Sequence, residues 1–337
     1  MAGQELYNSH AAMRKVKDMI KKARLVFTTC IDAGLGLLRA EDFDIVVIDE
    51  ASQQTEPASL VPVMKGCRKA VLVGDHAQLR PTVGKLALSL NFDISLFERL
   101  WGATTGDGNR IKKVMLNTQY RMHDEVCRFV SDEFYEGKLR TGIKAVGRSI
   151  FPSMFPWPVV DDSHRRVEAL DDGKGIKIRH HHRMVFVDCA TPEDLGQKSK
   201  CNRGQAALCG KVCDLLSKHA LGSIAPLSSA EAPRPSIAVL TPYTRQVDLL
   251  KQTLSSHKLV EICSIDGFQG READIIVLVT VRCNQTYNIG FLKDMRRLNV
   301  AMTRARTGVI IIGHMPTLTM GTADERSKAM WKRLIVG

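Results

Sequence analysis

Short runs of β-branched and aliphatic residues recur along the chain, and longer segments of helical periodicity separate them. These runs are RLVFTTC, DIVVIDE, KAVLVGD, RMVFVDC, SIAVLTP, DIIVLVT and GVIIIGH. Runs that are short and almost continuously apolar are typical of parallel strands that helices cover on both faces. The pattern therefore predicts an α/β fold built on parallel sheets.

The length of 337 residues exceeds the usual size of a single hydrophobic core, so two domains are expected. We predict a first domain over residues 1–118 and a second over residues 119–337. Two stretches lack a strand or helix pattern. One is an irregular insertion near 142–183, rich in proline and charge, and the other is a mobile surface loop near 221–236 with the composition of a linker.

The charge balance is basic, with 48 Lys and Arg against 36 Asp and Glu and a formal net charge of +12. Such an excess attracts polyanions, and nucleic acid is the commonest partner of a large basic protein. The sequence has no apolar run of bilayer-crossing length, and its first residues lack the apolar segment of a secretory signal. A cytoplasmic or nuclear location is expected.

Cysteines and histidines suggest metal sites at two places, and the spacing argues against both. Cys201, Cys209 and Cys213 lie on a predicted helix without paired CxxC spacing, which favours core packing over zinc binding. The run RHHHR, residues 179–183, reads as a solvated basic entry to a strand. Adjacent side chains of an extended segment point to opposite faces, so three neighbouring histidines cannot easily share one metal.

The run FDIVVIDEASQQTEP ends its apolar part at Asp49 and Glu50. A parallel strand delivers such residues to the carboxyl edge of its sheet, where ligands of open α/β folds bind. An aspartate there can hold Mg²⁺ through water, and a following glutamate can deprotonate the water that attacks a γ-phosphate. An ordinary acidic turn explains this pair equally well.

The next strand, AVLVGDHAQLRP, leads to Gln78, whose neutral amide can sense a γ-phosphate by hydrogen bonding.

The segment NTQYRMHDEV places Tyr120 and Arg121 in a turn before a helix. The ring can stack on a base and the guanidinium can fork onto phosphate oxygens. A core tyrosine beside a surface arginine is the structural alternative.

Two later segments carry glycine, acid and arginine in suggestive places. In SIDGFQGREAD, Gly267 and Gly270 let backbone amides approach an anion, and Glu272 follows just before a strand. The basic helix of DMRRLNVAMTRAR ends near Arg304 and Arg306, and an arginine there can stabilise charge on a transferred phosphoryl group.

Taken in order, VIDEASQQTEP, LVGDHAQLRP, QYRMH, TPYTRQ, DGFQGREAD and RRLNVAMTRAR resemble superfamily 1 helicases of the up-frameshift and senataxin group. The resemblance runs from about Arg24 to His314. It implies two RecA-like domains with ATP and Mg²⁺ in the cleft between them, and single-stranded RNA or DNA lying across both. One departure is Arg80, where a proline or glycine is more usual in this family.

The resemblance also implies roles for individual residues of the nucleotide site. In the first domain, Asp49 is the Mg²⁺-linked aspartate, Glu50 the catalytic base and Gln78 the γ-phosphate sensor. In the second, Tyr120 packs on the adenine, Glu272 contacts the ribose beside Gly270, and two arginines act as fingers on the phosphates, namely Arg121 and Arg304.

For nucleic acid, the resemblance points to small hydroxyl and turn residues at strand ends. Such groups can grip the sugar-phosphate chain without reading bases. A purely structural role as strand-end turns is about as credible at each position. The residues are Thr28, Thr29, Thr241, Pro242, Tyr243 and Ser264.

A helicase of this type needs a phosphate-binding loop of the form G-x-x-x-x-G-K-[S/T]. None of the four Gly-Lys pairs is followed by Ser or Thr, and they stand at positions 84–85, 137–138, 173–174 and 210–211. We therefore expect a first domain truncated at its amino-terminal side, and ATP and Mg²⁺ binding that is weakened or lost. An upstream region or a separate chain would then supply the loop.

Two functions stay open at this point. The chain is the carboxyl-terminal part of an ATP-dependent helicase, inactive alone, or it is a non-catalytic nucleic-acid-binding module that kept the helicase fold. The retention of so many catalytic residue types favours the helicase, because an idle site has no physical need for them.

Overall fold

The computed structural model describes residues 2–103, 111–142, 183–194, 196, 199–220, 235–321 and 324–336. The chain divides into two compact units, Met1–Val114 and Met115–Gly337. Almost all of the predicted insertion and linker, and the three histidines of RHHHR, lie outside the described residues. No described helix is long and apolar enough to cross a membrane.

The first unit contains a small parallel sheet. Its elements are α1 (Ala2–Lys22), β1 (Ile45–Ile48), α2 (Glu56–Val63), β2 (Lys69–Leu72), α3 (Lys85–Ser89) and α4 (Leu96–Gly102). Strand β1 pairs in parallel with β2, so that Val47 lies opposite Val71. Val46, Ile48 and Ala51 form its buried core. Ile45, Val47 and Val71 point away from that core and are exposed, and we call them the open sheet face.

Two expectations for the first unit are wrong. The run RLVFTTC is not a strand, because no described strand of the unit lies beside it to complete a ladder, and Leu25 and Phe27 are exposed. The expectation that β1 and β2 are covered on both faces also fails within the described residues, since the open sheet face is uncovered.

The second unit holds a larger parallel sheet, with strand order β5-β9-β8-β6-β7. The strands are β5 (Met184–Asp188), β6 (Ile237–Thr241), β7 (Val260–Ser264), β8 (Ala273–Val279) and β9 (Ala305–Gly313). All pairings in it are parallel, which confirms the predicted α/β class. A separate short pair joins β3 (Thr118–Gln119) to β4 (Arg140–Thr141).

Helices cover both faces of this larger sheet. They are α5 (Asp124–Phe134), α6 (Arg203–Ala220), α7 (Thr244–Thr253), α8 (Met295–Thr303), α9 (Met315–Met320) and α10 (Glu325–Val336). Ile275, Val277 and Ile310 pack with α6 and α7 in one core cluster. Because side chains alternate along a strand, Ile276 and Ile311 face the opposite side, and they are buried too.

The three cysteines that the sequence assigns to core packing are buried in the second unit. Cys201, Cys209 and Cys213 are all buried, and the last two pack against the larger sheet from α6. Core packing is thereby confirmed. Within the described ranges no cluster of three metal-ligating side chains is present.

Candidate functional site

The two acidic residues after β1 form a tight turn in the first unit. The backbone N–H of Glu50 donates to Asp49 Oδ1 at 2.9 Å, and Gln53 Nε2 donates to Glu50 Oε2 at 2.6 Å. Glu50 has a φ of 51°, the left-handed conformation that few residues other than glycine adopt. Both carboxylates are exposed. Backbone strain of this kind at an exposed acidic pair is typical of a functional turn.

The turn after β2 lies beside the acidic turn. Val73 N–H donates to the Ile48 carbonyl, and Asp75 N–H donates to Ser52 Oγ at 3.1 Å. Gln78 Nε2 in turn donates to Asp75 Oδ2 at 2.7 Å. A side chain on Gly74 would lie 2.8 Å from the Ser52 nitrogen, so the close approach requires glycine. The structure thus brings the Asp49–Glu50 turn next to the turn that carries Gln78.

Asp49 fits the predicted role at Mg²⁺. One carboxylate oxygen accepts a backbone N–H, which fixes its orientation, and the group stays open to solvent. Mg²⁺ keeps several waters and commonly takes only one or two protein carboxylates, with phosphate oxygens completing its shell. Asp49 can supply one such carboxylate, and Glu50 then stays available to act on a water.

A charged cluster occupies the amino edge of the larger sheet in the second unit. Glu272 accepts from Arg121 Nε at 2.5 Å and from Arg306 Nε at 2.9 Å. We call these three residues the glutamate cluster. The Arg121 hydrogen bond, and then that of Arg306, holds the pKa of Glu272 below its usual range. Glu272 is therefore an ionised acceptor at neutral pH.

Tyr120 stands next to this cluster with its ring 64% exposed. A side chain on Gly142 would lie 2.5 Å from Tyr120 Cε1, so the ring rests directly on the Gly142 backbone. An exposed ring that is held in this way can stack on a base. Arg121 also donates through Nη1 to the Thr303 carbonyl at 3.1 Å, which ties it to the end of α8.

Arg304 is placed differently from its predicted role. Its side chain is 5% exposed, and it donates to the Val300 carbonyl and the Thr303 hydroxyl. A guanidinium this enclosed reaches no ligand unless it moves. Gly270, by contrast, is exposed with a φ of 78° and open space around its Cα, as expected where a backbone approaches a ligand.

The predicted nucleic-acid residues of the second unit lie at the opposite, carboxyl edge of the same sheet. Thr241 and Tyr243 are buried, so their side chains offer no surface contact in this structure. Pro242 and Ser264 are half-buried, and Ser264 Oγ accepts from Gly267 N–H at 3.1 Å.

Thr28 and Thr29, the predicted nucleic-acid residues of the first unit, are exposed. Thr29 Oγ1 donates to Asp32 Oδ2 at 2.8 Å and accepts the Asp32 backbone N–H at 3.1 Å, so its hydroxyl is already engaged within the turn. The roles of all six predicted nucleic-acid residues stay predictions.

Comparison with known proteins decides the family. Two family profiles, each described as an AAA domain, match residues 3–85 and 92–316. The chain belongs to this AAA-domain family, among the superfamily 1 helicases of up-frameshift type.

Its relatives match over almost the whole chain. It is 34% identical over 331 residues to a regulator of nonsense transcripts 1 homolog of Neurospora crassa, and 35% identical over 328 residues to that of Drosophila melanogaster. It is 33% identical over 331 residues to the ATP-dependent helicase NAM7 of Saccharomyces cerevisiae. These matches cover 95%, 94% and 95% of this chain. The chain spans about a quarter of the length of these relatives, from 24% to 29%.

Within this helicase family, sequence reasoning missed several partners of the predicted residues. Arg306 stands two positions after Arg304, and strand alternation would place residues at this spacing on the same face, so the sequence pattern does not separate them. Arg306, rather than Arg304, is the arginine exposed at Glu272 because Arg304 still caps α8, whereas Arg306 already belongs to β9. Gly142 behind Tyr120 gave no signal, because β3 and β4 are too short for a periodic pattern.

Proposed function

We propose that this chain is the carboxyl-terminal part of an ATP-dependent helicase that moves on single-stranded RNA or DNA in the cytoplasm or nucleus. The observation that carries the proposal is the grouping of the predicted catalytic side chains. Asp49, Glu50 and Gln78 share one edge of the smaller sheet, and Tyr120 stands beside the glutamate cluster in the second unit. Relatives named ATP-dependent helicases support the same activity.

In the first unit, the residues would act on the γ-phosphate of bound Mg²⁺-ATP. The metal would neutralise charge that develops on the phosphate oxygens. Asp49 would hold a water of the metal shell, and Glu50 would orient and deprotonate the attacking water. The hydrogen bond from Gln53 fixes the Glu50 carboxylate in one orientation, and the second carboxylate oxygen can accept a proton. Gln78 would hydrogen-bond to the γ-phosphate, and the loss of that phosphate would change the hydrogen bonding of the turn that carries Gln78.

In the second unit, Tyr120 would stack on the adenine, and Arg121 would turn from Glu272 to a phosphate. The cluster is built for such an exchange, because Glu272 also accepts from Arg306 Nε and Nη2. When Arg121 leaves, the carboxylate keeps one arginine and is not left unpaired. The contact of Glu272 with the ribose then stays possible through the oxygen that Arg121 releases. Arg304 would have to leave its enclosed position before it could act as a second finger.

The phosphate-binding loop would come from an upstream region or a separate chain. No Gly-Lys pair in this sequence is followed by Ser or Thr. The open sheet face offers an apolar surface that a further strand or helix could cover. Without the amide cradle and its lysine, ATP loses most of its phosphate contacts and Mg²⁺ loses a ligand, so this chain alone would bind both weakly.

The test compares the 337-residue chain with a longer version that carries an upstream Gly-Lys-Thr loop. We expect negligible nucleic-acid-stimulated ATP hydrolysis from the chain alone and robust hydrolysis from the longer version. A Glu50→Gln change in the longer version should abolish hydrolysis and preserve nucleotide binding. Robust hydrolysis by the chain alone would remove the need for a supplied loop. Nucleic-acid binding without hydrolysis in both versions would favour the non-catalytic module.

A further inference from the structure

The segment between β8 and α8 carries two exposed aromatic rings at the carboxyl edge of the larger sheet. We call residues 281–293 the aromatic loop. Tyr287 is partly exposed, and Phe291 is 54% exposed although it is a phenylalanine in a well-packed unit. Lys293 follows and is exposed as well. Aromatic rings interleaved with basic residues are the composition of surfaces that bind single-stranded nucleic acid.

The backbone of the aromatic loop is held in uncommon conformations. Val281, Tyr287 and Gly290 have φ values of 71°, 52° and 57°. A β-branched residue such as valine rarely adopts a positive φ, so the surroundings must enforce it. Two buried side chains do so: Val281 N–H donates to Gln205 Oε1 at 2.7 Å, and its carbonyl accepts from Asn202 Nδ2 at 3.1 Å.

A buried carboxylate anchors the first turn of the loop. Glu193 Oε2 accepts from Arg282 Nε at 2.8 Å, from the Cys283 N–H at 2.9 Å and from Asn284 Nδ2 at 3.1 Å. The Arg282 and Glu193 side chains are both almost fully buried. Asn284 then accepts the N–H of Asn288 at 2.9 Å, which closes the tip. The loop is therefore preorganised rather than a loose connection.

Phe291 lies between the two segments that the sequence predicts to contact nucleic acid. Its ring centroid is 5.5 Å from that of Tyr243, which follows β6. Its other neighbour is Arg297, whose Cζ is 5.5 Å from the ring centroid and whose Nε donates to Asp266, just after β7. Asp266 and Asp294 both pair with Arg297, so the charge nearest the ring is already balanced. The exposed part of the ring remains an apolar platform beside Tyr243, and Arg297 connects it to Asp266.

A single exposed phenylalanine needs no explanation by itself. Here the ring sits on a strained loop that a buried acid and two buried amides hold in place, next to Tyr243 and linked through Arg297 to the segment after β7. We propose that Phe291 is a nucleic-acid-binding residue on which an unpaired base of a single strand stacks. The inference rests on the proposed function, and it supplies the base contact that the buried Tyr243 side chain does not offer.

The test measures fluorescence anisotropy of labelled oligouridylate and oligothymidylate of about 12 nucleotides, a length within the site size of comparable surfaces. A second probe of equal length carries abasic sites, which keep the phosphates and remove the bases. Phe291→Ala should weaken binding to the base-containing strands by about 5- to 100-fold, the range of one lost stacking contact. Binding to the abasic strand should stay unchanged.

Two matched variants make the result specific. Phe291→Trp keeps an aromatic platform and should retain the affinity. Leu259→Ala removes an apolar side chain that is 70% exposed, even more than Phe291; it precedes β7 at the amino edge of the same sheet and should have no effect. Circular dichroism checks that each variant is folded.

Each other outcome overturns the inference. If the parent chain binds the strands and Phe291→Ala binds them equally well, the inference fails and the proposed function stands. If Phe291→Ala weakens binding to the abasic and base-containing strands alike, the residue affects contacts with the sugar-phosphate backbone, and the proposed base stacking is wrong. If the parent chain binds no strand, the nucleic-acid part of the proposed function fails together with the inference.

Discussion

The two units carry parallel strands of similar sequence and bury them very differently. The strand IVVI of β1 and the strand ADIIVLV of β8 are both nearly continuous apolar runs. In β8 almost every residue is buried, whereas in β1 burial alternates and Ile45 is 63% exposed. Composition alone would assign both strands to the middle of a two-sided sheet.

The difference shows what an apolar strand pattern does and does not encode. The pattern indicates that both faces of a strand can be buried. It does not indicate which segment of the protein packs on each face. In the second unit, α6 and α7 provide it on one side. In the first unit, no described element covers the open sheet face, and the proposed upstream region or separate chain would supply what is lacking.

The largest expected effect is on the free energy of unfolding, when a strand isoleucine is replaced by alanine in each unit. Ile310→Ala in β9 removes a fully buried side chain and should lower the free energy of unfolding of the second unit by about 2–5 kcal/mol. Ile45→Ala in β1 removes an exposed side chain and should change that of the first unit by less than about 0.5 kcal/mol. Hydrogen exchange read by mass spectrometry reports each unit separately.

The longer version with an upstream loop supplies the control. If the open sheet face is covered there, Ile45→Ala should become costly in that protein and remain neutral in the shorter chain. Equal and small effects in both would mean that the face stays open to solvent.

The sequence predicted four of the five strands of the larger sheet, because helices cover these apolar strands on both faces. The apolar runs at β5, β6, β8 and β9 are all strands, and the polar residues after them lie at sheet edges. The run at Val260–Ser264 was not predicted as a strand, since its acid and cysteine interrupt the apolar pattern. The failure at RLVFTTC has another cause, because a strand needs a neighbouring ladder, which propensity cannot supply.

The sequence suggests which residues belong to the candidate site, and their roles stay predictions; it does not give their orientation. The Asp49–Glu50 and Gln78 turns are neighbours because β1 and β2 pair in parallel and share one carboxyl edge. It could not show that Arg304 is enclosed and Arg306 exposed, since that depends on where α8 ends and β9 begins. Phe291 could not be identified from the sequence because it lies in an irregular segment between β8 and α8, which carries no periodic pattern.

A second effect belongs to the second unit alone and depends on pH. Burial, with Arg183 nearby, lowers the pKa of His123 from 6.5 to about 4. Between pH 6.5 and about 4, His123 is therefore protonated in the unfolded chain and neutral in the folded unit. This contribution to the stability of the second unit is fully present above 6.5, and up to about 3 kcal/mol is lost as the pH falls toward 4.

The His123→Asn variant isolates that contribution. His123 Nδ1 accepts the Glu125 N–H at the start of α5, and asparagine is also a good residue at this position. The variant should retain the helix and show a smaller loss of stability between about pH 7 and pH 4.5 in urea unfolding. An unchanged pH dependence would show that His123 is not the group that titrates.

The smallest expected effect concerns two ion-pair networks, one in each unit, in which the numbers of acids and arginines are reversed. In the first unit one arginine serves two acids, since Arg80 donates to Glu98 at 2.5 and 2.7 Å and to Asp93 at 2.8 Å. In the glutamate cluster one acid serves two arginines. Asp93 and Glu98 are mostly buried, whereas the cluster is more than a third exposed on average. Solvent screening should therefore weaken the cluster more than the Arg80 network.

Arg80→Lys and Arg306→Lys test that difference, because lysine keeps the charge and loses the forked geometry. Arg80→Lys should cost about 1–2 kcal/mol and speed exchange in the turn that carries Gln78, since two enclosed acids lose hydrogen bonds. Arg306→Lys should cost less than about 1 kcal/mol, because Arg121 still pairs with Glu272. A cost at Arg306 equal to that at Arg80 would mean that the cluster is as rigid as the Arg80 network, and that Arg121 is not easily released to a phosphate.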